Sequence, residues 1–228
     1  MKTKSIIILL VIFSFWSCDK EITESEPIDY SNEFFPIVIG NSITYQIQEI
    51  TIDKESAVND TLNYQIKEKI ESLIENLDKY KSYRLERYYR KDTLSDWVIL
   101  NIWQIRQYQR RIHKIEDNIE YLRLLSPVSI YDNWNPNTYN NLDAEDCNIY
   151  SIKDTLIDYK NIETAYVTYI NQSSLIDKKF SEECYAKTIG LIKKTIIDVE
   201  LNIDPSEEWE NKITKGTIFY QNMINTNE

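Results

Sequence analysis

The sequence predicts an all-β protein: a single antiparallel, curved meander sheet, half-barrel or barrel-like, with few short helices. Three observations predict it. Apolar residues recur with a period close to two from Phe34 onward. Tyrosine is used 17 times against 6 phenylalanines, and tyrosine suits strands with one wet face. The apolar runs are separated by clusters of Asp, Asn, Ser and Lys, the composition of tight turns.

The first run, NSITYQIQ, sets Ile43, Tyr45 and Ile47 against Thr44, Gln46 and Gln48. TLNYQIKEKI repeats the alternation, with Leu62, Tyr64, Ile66 and Ile70 on one side and Asn63, Gln65, Lys67 and Lys69 on the other. Its continuation, KEKIESLIENLDKY, also matches helical spacing at Ile70, Leu73, Ile74 and Leu77. The first half of that stretch reads as strand and the second half stays open. DWVILNIW is apolar on both faces, which predicts a central strand. RLERYYRK and RQYQRRIHK read as the wet faces of two strands. AYVTYI and TIFYQNMI alternate more weakly, and IGLIKKTIIDVEL groups Ile189, Leu191, Ile197, Val199 and Leu201. Gly40 and Gly190 mark positions where the backbone needs freedom or close packing. Tyr185 and Ala186 read as a corner before the last long strand.

The chain has 228 residues, enough for one good core and at most two. With 42% hydrophobic and 28% charged residues, the body should be globular. Three glycines are too few for a glycine-rich nucleotide loop, and a net charge of −11 argues against nucleic-acid partners.

At the amino terminus, MKTK supplies a positive start and SIIILLVIFSFW an apolar stretch. That stretch falls short of the roughly 20 residues needed to span a bilayer and has the proportions of a signal peptide. Ser17 and Cys18 close it, and DKEITESEPIDYSN follows as a polar, acidic linker. The organisation expected is therefore a lipoprotein signal peptide at 1–17, an acidic flexible tether at 18–33, and an antiparallel β domain at 34–228.

Ser17 and Cys18 resemble a bacterial lipobox, with Phe15 and Trp16 in place of its usual residues. The resemblance implies that the Cys18 thiol carries a diacylglycerol, and that acyl chains of the palmitate kind hold the protein on a membrane. Asp19, Lys20 and Glu21 resemble the signal that sends Bacteroidota lipoproteins to the cell surface. The body carries FFPIVIGNSITYQ, then LLSPVSIYDNWNPNTYN, EECYAKTIGLI and GTIFYQNMI. In this order they resemble a family of uncharacterised Bacteroidota outer-membrane lipoproteins. Ile43 stands where that family usually has Trp, and Thr188 and Ile189 where it has Gly and Val. The resemblance implies one antiparallel β domain and an outer-membrane, surface-facing location; no activity travels with it.

Candidate chemistry is sparse. His113 is the only histidine and reads as a surface residue among Arg110, Arg111 and Lys114. No catalytic residue, cofactor or metal site is expected. Asp143, Glu145 and Asp146 lack the spacing of a calcium loop. Tyr131, Trp134 and Tyr139 form a candidate glycan-binding loop, with Asn133, Asn135 and Asn140 as hydrogen-bonding groups; the favoured alternative is a loop anchored to the core by its Trp. Cys147 and Cys184 are candidates for a disulfide in an exported protein. DTL occurs three times and resembles the Bacteroidota O-glycosylation acceptor, implying Thr61, Thr93 and Thr155 as acceptors. The expected function is a non-enzymatic binding or accessory module, partnered with the membrane through its lipid and with an extracellular ligand or envelope protein. The alternatives are a carrier of apolar ligands in a curved sheet and a glycan-active hydrolase. An apolar concave face would favour the carrier, and a cleft with facing carboxylates the hydrolase.

Overall fold

In chain order the strands are β1 (Ser42–Asp53), β2 (Val58–Ile74), β3 (Lys81–Arg90), β4 (Val98–Tyr108), β5 (Arg111–Glu116), β6 (Ile119–Leu125) and β7 (Asn133–Trp134). After them come β8 (Cys147–Ile157), β9 (Lys160–Ser173), β10 (Asp177–Ala186), β11 (Gly190–Leu201), a single helical turn α1 (Trp209–Lys212), and β12 (Ile213–Thr226). The structure is a computed structural model, and it describes residues 32–75, 81–204 and 206–227. The signal peptide and Cys18, Asp19, Lys20 and Glu21 lie outside the described residues, as does most of the tether.

The twelve strands among the described residues form one antiparallel sheet in the order β6-β5-β4-β3-β2-β1-β12-β11-β10-β9-β8-β7. The chain meanders outward from β1 to one edge at β6. It then crosses to the opposite edge at β7 and meanders back, so that β12 pairs with β1 at the centre. Local sequence explains the tight corners. Asp117–Asn118 between β5 and β6, and Asp158–Tyr159 between β8 and β9, both have two consecutive positive φ angles. That is the turn whose twist matches a two-residue hairpin, and Asp and Asn tolerate it better than most residues.

The sheet curls until its two edges approach without sharing a ladder. The crossing segment ties them: the Trp134 indole donates to the Leu122 carbonyl at 2.9 Å, and the Leu122 amide donates to the Pro136 carbonyl at 2.9 Å. Tyr169 on β9 also donates its hydroxyl to the Arg123 carbonyl at 2.8 Å. Curling gives an interior face, where Tyr45, Ile47, Ile66, Leu85, Ile105, Ile112, Val167 and Tyr185 are buried in one cluster. A second, smaller cluster of Ile197, Val199, Leu201, Ile213 and Ile218 packs with Ile50, Ile52 and Trp209. It uses the opposite faces of β1 and β11.

Two strand expectations need correction. Leu191 does not share a face with Ile197, Val199 and Leu201. Cys184 pairs with Lys193 but Tyr185 with Leu191, so β11 holds one extra residue there. Such a bulge shifts every later side chain to the other face. The segment starting at Trp97 is also not a fully central strand. β5 pairs β4 only from Gln104 to Tyr108, so Val98, Ile99, Leu100 and Ile102 flank an unpaired stretch of edge and are exposed. The open half of the KEKIESLIENLDKY stretch is strand as far as Ile74, with residues 76–80 outside the described residues.

Candidate functional site: a charged cavity inside the curved sheet

Period two explains how charge enters the core. On β2 the residues facing inward are Ile66, Glu68 and Ile70; on β5 they are Ile112, Lys114 and Glu116. Arg87 on β3, Arg123 on β6, Glu183 on β10 and Lys194 on β11 arrive on the same wall. Together they line a cavity of about 270 Å³. Phe35, Pro36, Ile43, Ile70 and Leu191 supply an apolar end; a Cβ added at Gly190 would touch Ile43 and Pro36 at 3.6 Å.

The charged side chains are joined in two groups. Glu68 accepts from Lys114 Nζ at 3.0 and 3.2 Å and from Arg87 Nε at 3.0 Å. Trp103 lies beneath both cations, 3.6 Å from the Arg87 guanidinium and 4.7 Å from Lys114 Nζ. In the second group Arg123 donates Nε and Nη2 to Glu116 Oε1 at 3.2 and 2.8 Å. Glu183 pairs with Lys194 Nζ at 2.9 Å and accepts from the Tyr169 hydroxyl at 2.9 Å and from the Tyr185 hydroxyl.

Burial raises the pKa of a carboxylate and nearby cations lower it, so the balance matters. Burial pushes Glu68 up, but Lys114 and Arg87 outweigh it and leave the acid below its ordinary value. Glu183 behaves alike: Lys194 and Arg123 overcome its burial and hold it well below the carboxylate range. For Glu116 the outweighing cations are Arg123 and Lys114. Burial moves Tyr45, Tyr169 and Tyr185 the other way, well above the usual phenol value. At neutral pH the three acids are therefore ionised and the three phenols protonated.

The residues singled out in the sequence lie elsewhere. Trp134 is 7% exposed and anchored by its indole, while Tyr131 is 82% exposed. Asn135, Asn137 and Asn140 bond within the loop or to the backbone of β6 rather than outward. The three aromatic residues therefore do not make a flat platform; the Trp anchors the loop.

Cys147 and Cys184 are both buried as free thiols. They stand on β8 and β10 with β9 between them, so two strand spacings of about 4.8 Å separate them, too far for a disulfide. The candidate bridge is not formed. His113, expected at the surface, is buried against the edge of the Tyr139 ring. Thr61 and Thr93 are exposed, Thr61 within β2 and Thr93 in the β3–β4 turn. Thr155 is half-buried, and its hydroxyl lies 2.9 Å from that of Tyr166.

No protein-family model matches the chain, and neither does any curated protein. Among solved structures it is similar to a candidate lipoprotein from Parabacteroides distasonis ATCC 8503. The two are 13% identical; the match covers 85% of this chain and 97% of the other, with a TM-score of 0.40.

Sequence reasoning missed the cavity's charged residues because it assigned charged positions to wet faces. The signal was present at Glu68, which interrupts the apolar face of Ile66 and Ile70 in strict register. Lys114 does the same two residues after Ile112. An ionisable residue at an apolar beat of a strand marks an inward charge that needs a partner.

Proposed function

We propose that this protein is a lipid-anchored outer-membrane lipoprotein, displayed at the cell surface, that binds a small ligand non-enzymatically inside its curved sheet. The anchor rests on Cys18 and its flanking residues, and display on Asp19, Lys20 and Glu21. The observation that carries the binding role is the cavity, whose wall combines an apolar end with a fixed set of charges. Pre-formed concavity with a few placed polar groups is the usual character of a ligand site. The apolar end supports the carrier reading in part, but seven charged side chains argue against a purely apolar cargo. A hydrolase acting by paired carboxylates needs one with a raised pKa, and here all three are lowered. O-glycosylation of an exported protein would fall on Thr61 or Thr93 before Thr155.

Titration with N-phenyl-1-naphthylamine, a neutral dye that brightens in apolar sites, tests the binding role. The wild-type chain should saturate with one dye per protein, and Leu191→Trp, which fills the apolar end, should lower affinity at least tenfold. Equal binding by both would move the ligand site away from the cavity. Cys18→Ser should release the protein from the membrane fraction or leave it uncleaved; normal membrane retention would remove the anchor.

A further inference from the structure

We infer that the cavity takes an amphipathic anion, with an acidic head on the charged wall and a short apolar tail toward Phe35, Ile43, Ile70 and Leu191. The inference rests on the cavity being a binding site, as proposed above, and adds the chemical class of its occupant. Its first support is a charge count. Four cations, Arg87, Lys114, Arg123 and Lys194, face three carboxylates, Glu68, Glu116 and Glu183. A surplus positive charge held inside a protein is costly unless something pairs with it.

Hydrogen-bonding capacity points the same way. Lys194 Nζ spends one of its three N–H groups, on Glu183. Arg123 commits Nε and Nη2 to Glu116, while its Nη1 stands 3.9 Å from Glu183 Oε1, beyond hydrogen-bonding distance. Arg87 uses Nε on Glu68 and Nη1 on Asn101. Most acceptors, in contrast, are engaged: Glu183 takes two tyrosine hydroxyls and a lysine, Glu68 takes a lysine and an arginine on its two oxygens, and Glu116 takes Arg123 twice on Oε1. A wall with spare donors and mostly occupied acceptors favours an acceptor-rich, negatively charged group. It offers little to a cation.

Size limits the tail. A methylene needs about the room of a water molecule, about 30 Å³, so a cavity of about 270 Å³ suits a chain on the order of ten carbons with the head carbon included. A fatty carboxylate and an alkyl phosphate share this chemistry.

Calorimetric titration of the full chain with decanoate, decyl phosphate, decanol and decylammonium is the test. At least one anion should bind tenfold or more tighter than decanol, and decylammonium weaker than decanol. The tighter of the two anions identifies carboxylate or phosphate as the preferred head. Lys194→Met should reduce the anion's advantage over decanol to threefold or less. Should that variant fail to fold, salt supplies the second measurement: raising sodium chloride from 0.05 to 0.5 M should weaken anion binding and spare decanol. Decanol binding as tightly as both anions, or an advantage that survives Lys194→Met and is blind to salt, would overturn the anionic assignment alone. Binding of none of the four would overturn the cavity as a ligand site as well.

Discussion

Lys114 on β5 reaches across the curved sheet to Glu68 on β2, with its Nζ 3.0 Å from the carboxylate. Both side chains are only 10% exposed, and β3 and β4 lie between their strands. The pair therefore links parts of the sheet that do not neighbour one another, and it does so where water is scarce. A buried ion pair adds little net stability over a well-packed apolar pair, but breaking one is expensive.

That asymmetry gives the first prediction. Glu68→Gln leaves Lys114 and Arg87 facing a neutral amide and should cost about 3–5 kcal/mol. The double change Glu68→Leu with Lys114→Met removes both charges and should cost distinctly less than Glu68→Gln alone. Urea unfolding of the wild type and these two variants measures this. A single mutant as stable as wild type would show that Glu68 is not the counter-ion of these cations.

Trp134 supplies the second. Its ring is buried and its indole holds the Leu122 carbonyl at the place where the two sheet edges meet. Trp134→Ala should cost about 3–5 kcal/mol through the cavity and the lost bond. Dye or amphiphile binding by the remaining folded protein should change little. A variant with unaltered melting temperature would put the indole outside the core.

What was legible in the sequence was whatever depends on local period. The alternation of Ile43, Tyr45 and Ile47, and of Ala165, Val167 and Tyr169 on β9, is the pleat itself, and it announced an antiparallel sheet. What failed depends on events off the period. One inserted residue near Ile192 turned Ile197, Val199 and Leu201 to the opposite face from Leu191, and no composition marks a bulge. The exposed flank at Val98–Ile102 exists because β5 is short, which is a property of its neighbour. Of the ionic wall, Glu68 and Lys114 were marked by their apolar beats, but Arg123 and Glu183 were hidden, because they meet only after the sheet has curled and each alone looks like a solvated charge.

Glycine shows the same limit and gives a third prediction. The sequence singled out Gly40 and Gly190, yet the tightest site is Gly216 on β12. A Cβ there would lie 2.2 Å from the Asp198 carbonyl oxygen and 2.6 Å from Val199 Cα, both backbone atoms of β11, at a φ of +133°. At Gly40 no atom lies within 4 Å, and only the positive φ of +93° opposes a side chain. Gly216→Ala should therefore lose well over about 1 kcal/mol and exceed Gly40→Ala, as thermal unfolding would reveal. The reverse order would mean that β11 and β12 can separate there without penalty.

The two body thiols give a fourth. Burial, followed by Glu182, pushes the Cys184 thiol up to about 12, and burial followed by Glu183 raises Cys147 as well. The thiolate is the reactive form, so neither should react quickly in the folded protein. In a Cys18→Ser background, iodoacetamide at pH 8 should leave both unmodified under native conditions and label both in guanidinium. Dithiothreitol should not shift the melting temperature. A melting temperature lowered by reductant would mean that the two do pair.

The last prediction concerns pH. His113 is buried between β4 and β6, facing Arg106 and Glu120, with Arg111 near it on its own strand and the Tyr139 ring against it. Burial first, then Arg106 and Arg111, push its pKa down to about 4, against about 6.5 in an unfolded chain. Its Nδ1 lies 3.1 Å from Glu120 Oε1 without the alignment of a hydrogen bond; that acid favours the charged form, but it is already paired with Arg106 at 2.9 Å, and burial with the two arginines outweighs it. Between those two pKa values the unfolded chain binds more protons than the folded one. Stability should accordingly rise with pH across the window. The contribution is complete above about pH 6.5 and is lost progressively as pH falls toward 4, amounting to on the order of 2 kcal/mol. His113→Gln cannot titrate. Urea unfolding of wild type and variant from pH 4.5 to 7.5 isolates the effect, because the carboxylates titrate alike in both and cancel in the difference. The wild type should gain stability over the variant as pH rises through this range. A difference that stays constant with pH would show that His113 takes up its proton as freely in the fold as in the open chain.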